Sequence, residues 1–162
     1  MDLQPYYFPA AIAAHLLAAV IWVGGMFFAY ISLRPAAAKA LEMPQRLKLW
    51  KRTLSSFFFW VWLCVIALPA TGYWMIFEHF GGMAHAGVGW HVHVMQALGI
   101  IMILIFLHVF FSPFRRLCKA VKQENFQLAS ENLAQVRKFI GINLLLGVIV
   151  IVAAGGLRYV AM

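Results

Sequence analysis

The stretch FPAAIAAHLLAAVIWVGGMFFAYISL, residues 8–33, decides the fold. It contains no Asp, Glu, Lys or Arg and a single histidine, His15. A bilayer core of roughly 30 Å is crossed by about 20 apolar residues of helix, so this run is long enough to span it. Three further runs, Leu54–Phe77, His91–Phe111 and Phe139–Val160, read the same way and leave little of the chain outside them. The expectation is an all-α protein, a four-transmembrane-helix bundle. Its helices span about 8–33, 54–77, 91–111 and 139–160, in one integral membrane domain over residues 1–162.

Composition agrees. The chain is 64% hydrophobic and 11% charged, against about 25% charged in a soluble domain. The formal net charge of +8 could point to nucleic acid, but the basic residues are not arranged for it. Arg34, Lys39, Arg46, Lys48, Lys51 and Arg52 follow the first run, and Arg115, Arg116, Lys119, Lys122, Arg137 and Lys138 follow the third; residues 79–90 carry neither Lys nor Arg. By the positive-inside rule, loops 34–53 and 112–138 are cytoplasmic, while both termini and loop 78–90 lie on the outer, periplasmic side of a bacterial inner membrane. The expected partner of the positive charge is the lipid bilayer with its anionic headgroups, and no nucleic acid.

A signal peptide is the rival reading of the first run, with Ala36–Ala38 as the small-residue cleavage site. No basic residue precedes Phe8, and the run exceeds the usual length of about 7–15 residues, so it reads as a span. Cys64 falls mid-span and Cys118 in a cytoplasmic loop, so both are expected as free thiols.

Local signals fill in the rest. Gly24 and Gly25 offer a neighbouring helix close approach, and Arg34 and Pro35 end the first helix. The stretch on to Arg52, with Pro44 inside it, reads as a short interfacial helix pair. Pro69, followed by Thr71 and Gly72, should kink the second helix and free backbone carbonyls. Tyr73, Trp74 and Trp90 form an outer aromatic belt. Residues 114–138 read as an amphipathic helix with Leu117, Val121, Leu128 and Val136 turned to lipid. No internal repeat is expected.

Depth along the helices sorts the polar residues. His15, His93, Gln96 and Arg158 fall in an outer layer, and His108 and Asn143 in an inner one, at about 1.5 Å per residue. Two neutral imidazoles on facing helices are the usual way for a bundle to hold a b-type haem. Heme b between His15 and His93 is therefore expected, with Gln96 lining the site and Arg158, the basic residue on the outer side, meeting the propionates. His91 is the alternative second ligand; it lies about 200° from His93 around the helix, so one of the two at most faces His15. Such a centre would serve electron transfer or membrane redox chemistry, with quinone from the lipid as a partner. His108 is expected to bond Asn143 or a backbone carbonyl. The competing constellation is a copper site in the outer loop, from Met75, His79, Met83 and His85, with His91, His93 and Met95 close by. Homodimerisation would use the glycine-bearing faces of the first and fourth helices, although no G-x-x-x-G is present.

One segment carries a family resemblance. His15-Leu-Leu-Ala-Ala-Val-Ile-Trp22-Val-Gly24-Gly25 resembles the first-helix signature of the copper-resistance protein D (CopD) superfamily and its HemJ-type relatives, where a histidine is followed by tryptophan and glycine one and two turns on. Thr71-Gly72, Gly89-Trp90 and Val136-Arg137-Lys138-Phe139 leading into Asn143 fit the same pattern. The resemblance implies that Trp22 belongs to the site beside His15. For HemJ-type proteins it implies haem b and a haem-dependent oxidoreductase acting on protoporphyrinogen; for CopD-type proteins it implies copper handling or transport. HemJ-type sequences carry a lysine in the first turns of the third helix, near the positions of His93 and Val94, and this chain has none.

Overall fold

The computed structural model describes residues 4–81 and 89–155. Six α-helices and two π-helical segments account for nearly all of them: α1 (Gln4–Phe27), a π segment (Phe28–Leu33), α2 (Arg34–Ala40), α3 (Met43–Phe80), α4 (Trp90–Val109), a second π segment (Phe110–Phe114), α5 (Arg115–Lys122) and α6 (Phe126–Gly155). Four rods are long and apolar enough to cross a membrane.

Each π segment lies at a proline, Pro35 following the first and Pro113 inside the second. A proline has no N–H to donate, and its ring crowds the carbonyl four residues earlier, here Ile31 and Val109. Widening the turn by a residue lets the helix pass that point without stopping. Arg34 and Pro35 therefore do not end the first rod; it runs on through α2 to Ala40.

The interfacial helix pair expected before Arg52 is not formed. Met43–Arg52 is instead the opening of α3, whose 38 residues extend for about 57 Å and so project well beyond a hydrocarbon core. Glu42 is extended at its start, and Pro44 fits the first turn, where an N–H would lack a partner in any case. Residues 114–138 are likewise not one helix. Gln123–Asn125 turn the chain, with Glu124 in the left-handed region at φ 55°. Asn125 Oδ1 accepts the N–H of Leu128 at 3.1 Å and so caps α6. Leu117, Val121 and Val136 are buried against the bundle and Leu128 alone of the expected four is exposed, because the turn folds α5 back onto α6. Cys118 sits on α5 rather than in a loop, and both cysteines are free thiols.

Neighbouring rods run antiparallel. On α1 and α3, residue 15 meets residue 71 and residue 25 meets residue 57; on α4 and α6, residue 108 meets residue 139. Gly25 is where Phe57 presses on α1, while nothing lies near Gly24. Gly147 of α6 lets Val23 and Met102 close in; a Cβ there would stand 2.8 Å from Val23 Cγ2. Leu16, Leu17, Val20, Ile66 and Val152 point outward, the pattern of helices solvated by lipid.

The two ends of the bundle are packed differently. Toward the end that carries the basic residues, Phe58 contacts Phe106, Phe110 and Phe114 edge-on, with centroids 5.6, 6.1 and 4.8 Å away, and Trp62 adds Phe106 at 5.3 Å. These T-shaped contacts knit α3 to α4 and fill that half. Tyr73, Trp74 and Trp90 are exposed at the opposite end, where the helices stand further apart.

Burial recurs along the chain where identity does not. Trp22, Met26, Ala29 and Ala37 are buried, and so, at one constant interval, are Met102, Phe106, Val109 and Leu117. On the following rods Leu47, Trp50, Leu54, Phe58 and Val61 correspond in the same way to Ala129, Asn132, Val136, Ile140 and Asn143. α1 packs chiefly on α3 and α4 chiefly on α6, so each half is a π-interrupted rod followed by a long helix.

Candidate functional site

Between the four rods, on the side away from the basic end, lies a cavity of about 360 Å³. One face of α1 supplies His15, Ala19, Trp22 and Val23, spaced to project together from a 3.6-residue helix. α3 contributes Leu68, Pro69, Gly72, Tyr73, Met75 and Ile76; α4 contributes Val92, Met95, Gln96, Gly99, Met102 and Ile103; α6 closes the side with Gly147, Val150 and Ile151. The lining is almost wholly apolar, and Gly99, with nothing within 4 Å of the place a Cβ would take, leaves space that a larger side chain would fill.

His15 is the polar group around which the wall is arranged. Its Nδ1 lies 2.8 Å from Thr71 Oγ1. The Thr71 hydroxyl has one proton and directs it to the backbone, 2.6 Å from the carbonyl oxygen of Ala67 and 3.3 Å from that of Leu68. Toward His15 the hydroxyl oxygen can therefore act as acceptor alone, so Nδ1 carries the hydrogen and Nε2 keeps its lone pair. This back-bonded threonine stands just after Pro69, where the sequence predicts a kink; α3 runs through that position as one α-helix. Gly72 gives the ring room, since a Cβ there would be 3.3 Å from His15 Cε1.

The other expected site residues divide. Trp22, Gln96 and Met75 line the same cavity as His15, and Gln96 Nε2 donates to the Tyr73 hydroxyl. His93 does not join them: it is exposed on α4, because the cavity face of that helix runs through Val92, Met95, Gln96 and Gly99. The paired-imidazole arrangement of His15 with His93 is thus not brought together. The side chains of His79 and His91 lie outside the described residues, as do Met83, His85 and Arg158 altogether. Met95 and Met102, which line the cavity, were not singled out as its walls from the sequence. Met95 reads from the sequence as a neighbour of the competing copper constellation of the outer loop, whereas Met102, a methionine at helical spacing, reads as ordinary core.

The inner layer is separate. Asn143 does not reach His108; its Nδ2 donates to the Met102 carbonyl at 3.3 Å, and its buried Oδ1 has no hydrogen-bond partner among the described residues. His108 is exposed, with its ring edge-on to Phe139 at 5.0 Å. No group of three or more His, Cys, Asp or Glu gathers among the described residues.

Fold and cavity together define an integral membrane protein, a four-helix bundle with an apolar cavity between its helices. The family described as Copper resistance protein D matches residues 51–157, about two thirds of the chain, and the protein belongs to that family. No curated protein and no solved structure matches it significantly.

Proposed function

We propose that the protein handles copper, holding Cu(I) in the cavity as cargo through His15 and methionine sulfur. The observation that carries this reading is the His15–Thr71 pair. It leaves an unprotonated Nε2 on the wall of a chamber that thioethers also line. Imidazole and thioether together favour Cu(I), and the lack of a carboxylate or thiolate cluster disfavours zinc, calcium and magnesium. Charge argues the same way: the cost of desolvating an ion grows with the square of its charge, so Cu(I) in an apolar chamber costs about a quarter of what Cu(II) would. Membership of the copper-resistance family supports the reading from a different direction. With the basic end cytoplasmic, the chamber opens toward the periplasmic half of a bacterial inner membrane, where copper arrives from outside.

The size of the chamber favours a second reading. About 360 Å³ is far more than one ion needs and lies in the range of small-molecule pockets. Haem b would find one axial donor in His15, with Gln96 and Trp22 on the walls. One donor alone would leave an iron position open to redox chemistry, with quinone as the adjoining partner.

One experiment separates them. The detergent-purified protein is assayed for copper and iron and its spectrum recorded oxidised and reduced. The copper reading expects near-stoichiometric copper after loading with Cu(I) and no Soret band. Near-stoichiometric iron with a Soret band would overturn it in favour of haem.

A further inference from the structure

The recurrence of burial extends into the cavity. Positions that correspond between the two halves of the chain meet there as pairs: His15 with Met95, Trp22 with Met102, and Leu68 with Val150. The small void of about 10 Å³ in the packed half, beneath Trp22, is also lined by corresponding positions, Met26 with Phe106 and Val61 with Asn143. A π-interrupted rod leads each half, each rod packs on the long helix that follows it, and the leading rods run in the same direction. This order and packing are what a pseudo-two-fold axis along the bundle would give, with the cavity and the void between the two units, as in membrane proteins built from parallel repeats.

We infer that the chain is two tandem copies of one helical unit, and that the metal is held on the axis between them by His15 of the first and Met95 of the second. This rests on the Cu(I) reading above. The equivalent positions His15 on α1 and Met95 on α4 line the same chamber, so each offers a donor to a ligand held there. The pair is chemically differentiated. His15 has Thr71 to orient it, whereas the position equivalent to Thr71 in the second half is Ala153, which has no hydroxyl. An imidazole needs such a partner to fix its tautomer, and a thioether needs none. The arrangement assigns Met95 as the principal sulfur ligand, ahead of Met75, which shares the chamber but lies on α3 rather than on a leading rod.

The test uses the full-length protein in detergent, Met95→Leu and Met75→Leu, each titrated with Cu(I) against a chromophoric chelator. Copper K-edge absorption is then recorded on the loaded samples. Leucine conserves volume, and thermal unfolding checks that each variant folds. Met95→Leu is expected to weaken Cu(I) by about tenfold or more and to remove a sulfur scatterer. Met95→His, which places an imidazole there without the orienting hydroxyl that Thr71 gives His15, is expected to recover part of the binding, with a nitrogen scatterer in place of the sulfur. Wild-type binding unchanged in Met95→Leu but lost in Met75→Leu would overturn the assignment while leaving the copper reading intact. No Cu(I) binding by the wild type would overturn both.

Discussion

A histidine within an apolar helix is costly unless it has a partner and a purpose, and His15 has both. Thr71 holds its Nδ1–H from 2.8 Å, and the opposite nitrogen is left as a donor. On the proposed Cu(I) reading this hydrogen bond would orient the imidazole that takes the metal, and loss of such a partner lowers metal affinity by about 10–100-fold. Thr71→Val keeps the shape and removes the hydroxyl, and is expected to weaken Cu(I) binding by about tenfold; Thr71→Ser should retain it. Chelator competition on the two variants reads the difference. Gly72→Ala tests the same ring sterically, since the added methyl would press on Cε1 from 3.3 Å and shift the imidazole off its partner. Binding in that variant is expected to fall while the fold persists. At this scale the chain was partly legible. The depth of His15 could be read from the apolar residues around it, whereas at Pro69–Gly72, where a kink is expected, α3 continues as an α-helix. Its hydrogen bond to Thr71 could not, because the two residues are joined only by the packing of separate helices. His93 was read onto the cavity because its depth was right; depth is a translation along the helix, and rotation about it decides which face a residue takes.

Among the elements, the prolines and glycines carry the geometry. Pro35 and Pro113 widen their helices into π segments instead of stopping them, so the basic stretches became extensions of the rods. Local signals for a helix end were present, and continued packing along the rods outweighed them. Gly147 sits where α6 crosses Val23 and Met102, and Gly147→Leu would force both away. Overpacking at such a site costs about 1–3 kcal/mol. Thermal unfolding in detergent should show a lower midpoint, whereas Gly24→Ala, with nothing within 4 Å, should leave it unchanged. The turn between α5 and α6 offers a complementary test. Glu124 holds φ 55°, a conformation costing an L residue about 1–2 kcal/mol. Glu124→Gly is expected to raise the midpoint and Glu124→Ile to lower it.

For the molecule as a whole, four apolar runs were enough to set the class, because nothing but helices or a closed barrel satisfies backbone groups in lipid. The two-fold relation of the halves stayed hidden in the sequence for a physical reason. What repeats is which positions face inward, and apolar side chains exchange freely at such positions: Trp22 against Met102, Leu54 against Val136. The same freedom lets one half keep a histidine where the other has Met95. The positive-inside rule would put the basic loops in the cytoplasm, and reporter fusions at the two termini are then expected to place both on the periplasmic side. A cytoplasmic terminus would reverse the proposed direction from which copper reaches the chamber.

The central claim is that His15 Nε2 is a copper donor inside the bundle. It is met most directly by anaerobic Cu(I) titration of the purified wild type and His15→Ala against a competing chelator, with thermal unfolding of both recorded alongside. The account predicts one Cu(I) bound by the wild type and binding weakened by about a hundredfold or lost in a variant that still folds. Equal binding by the two proteins, or none by either, would contradict it.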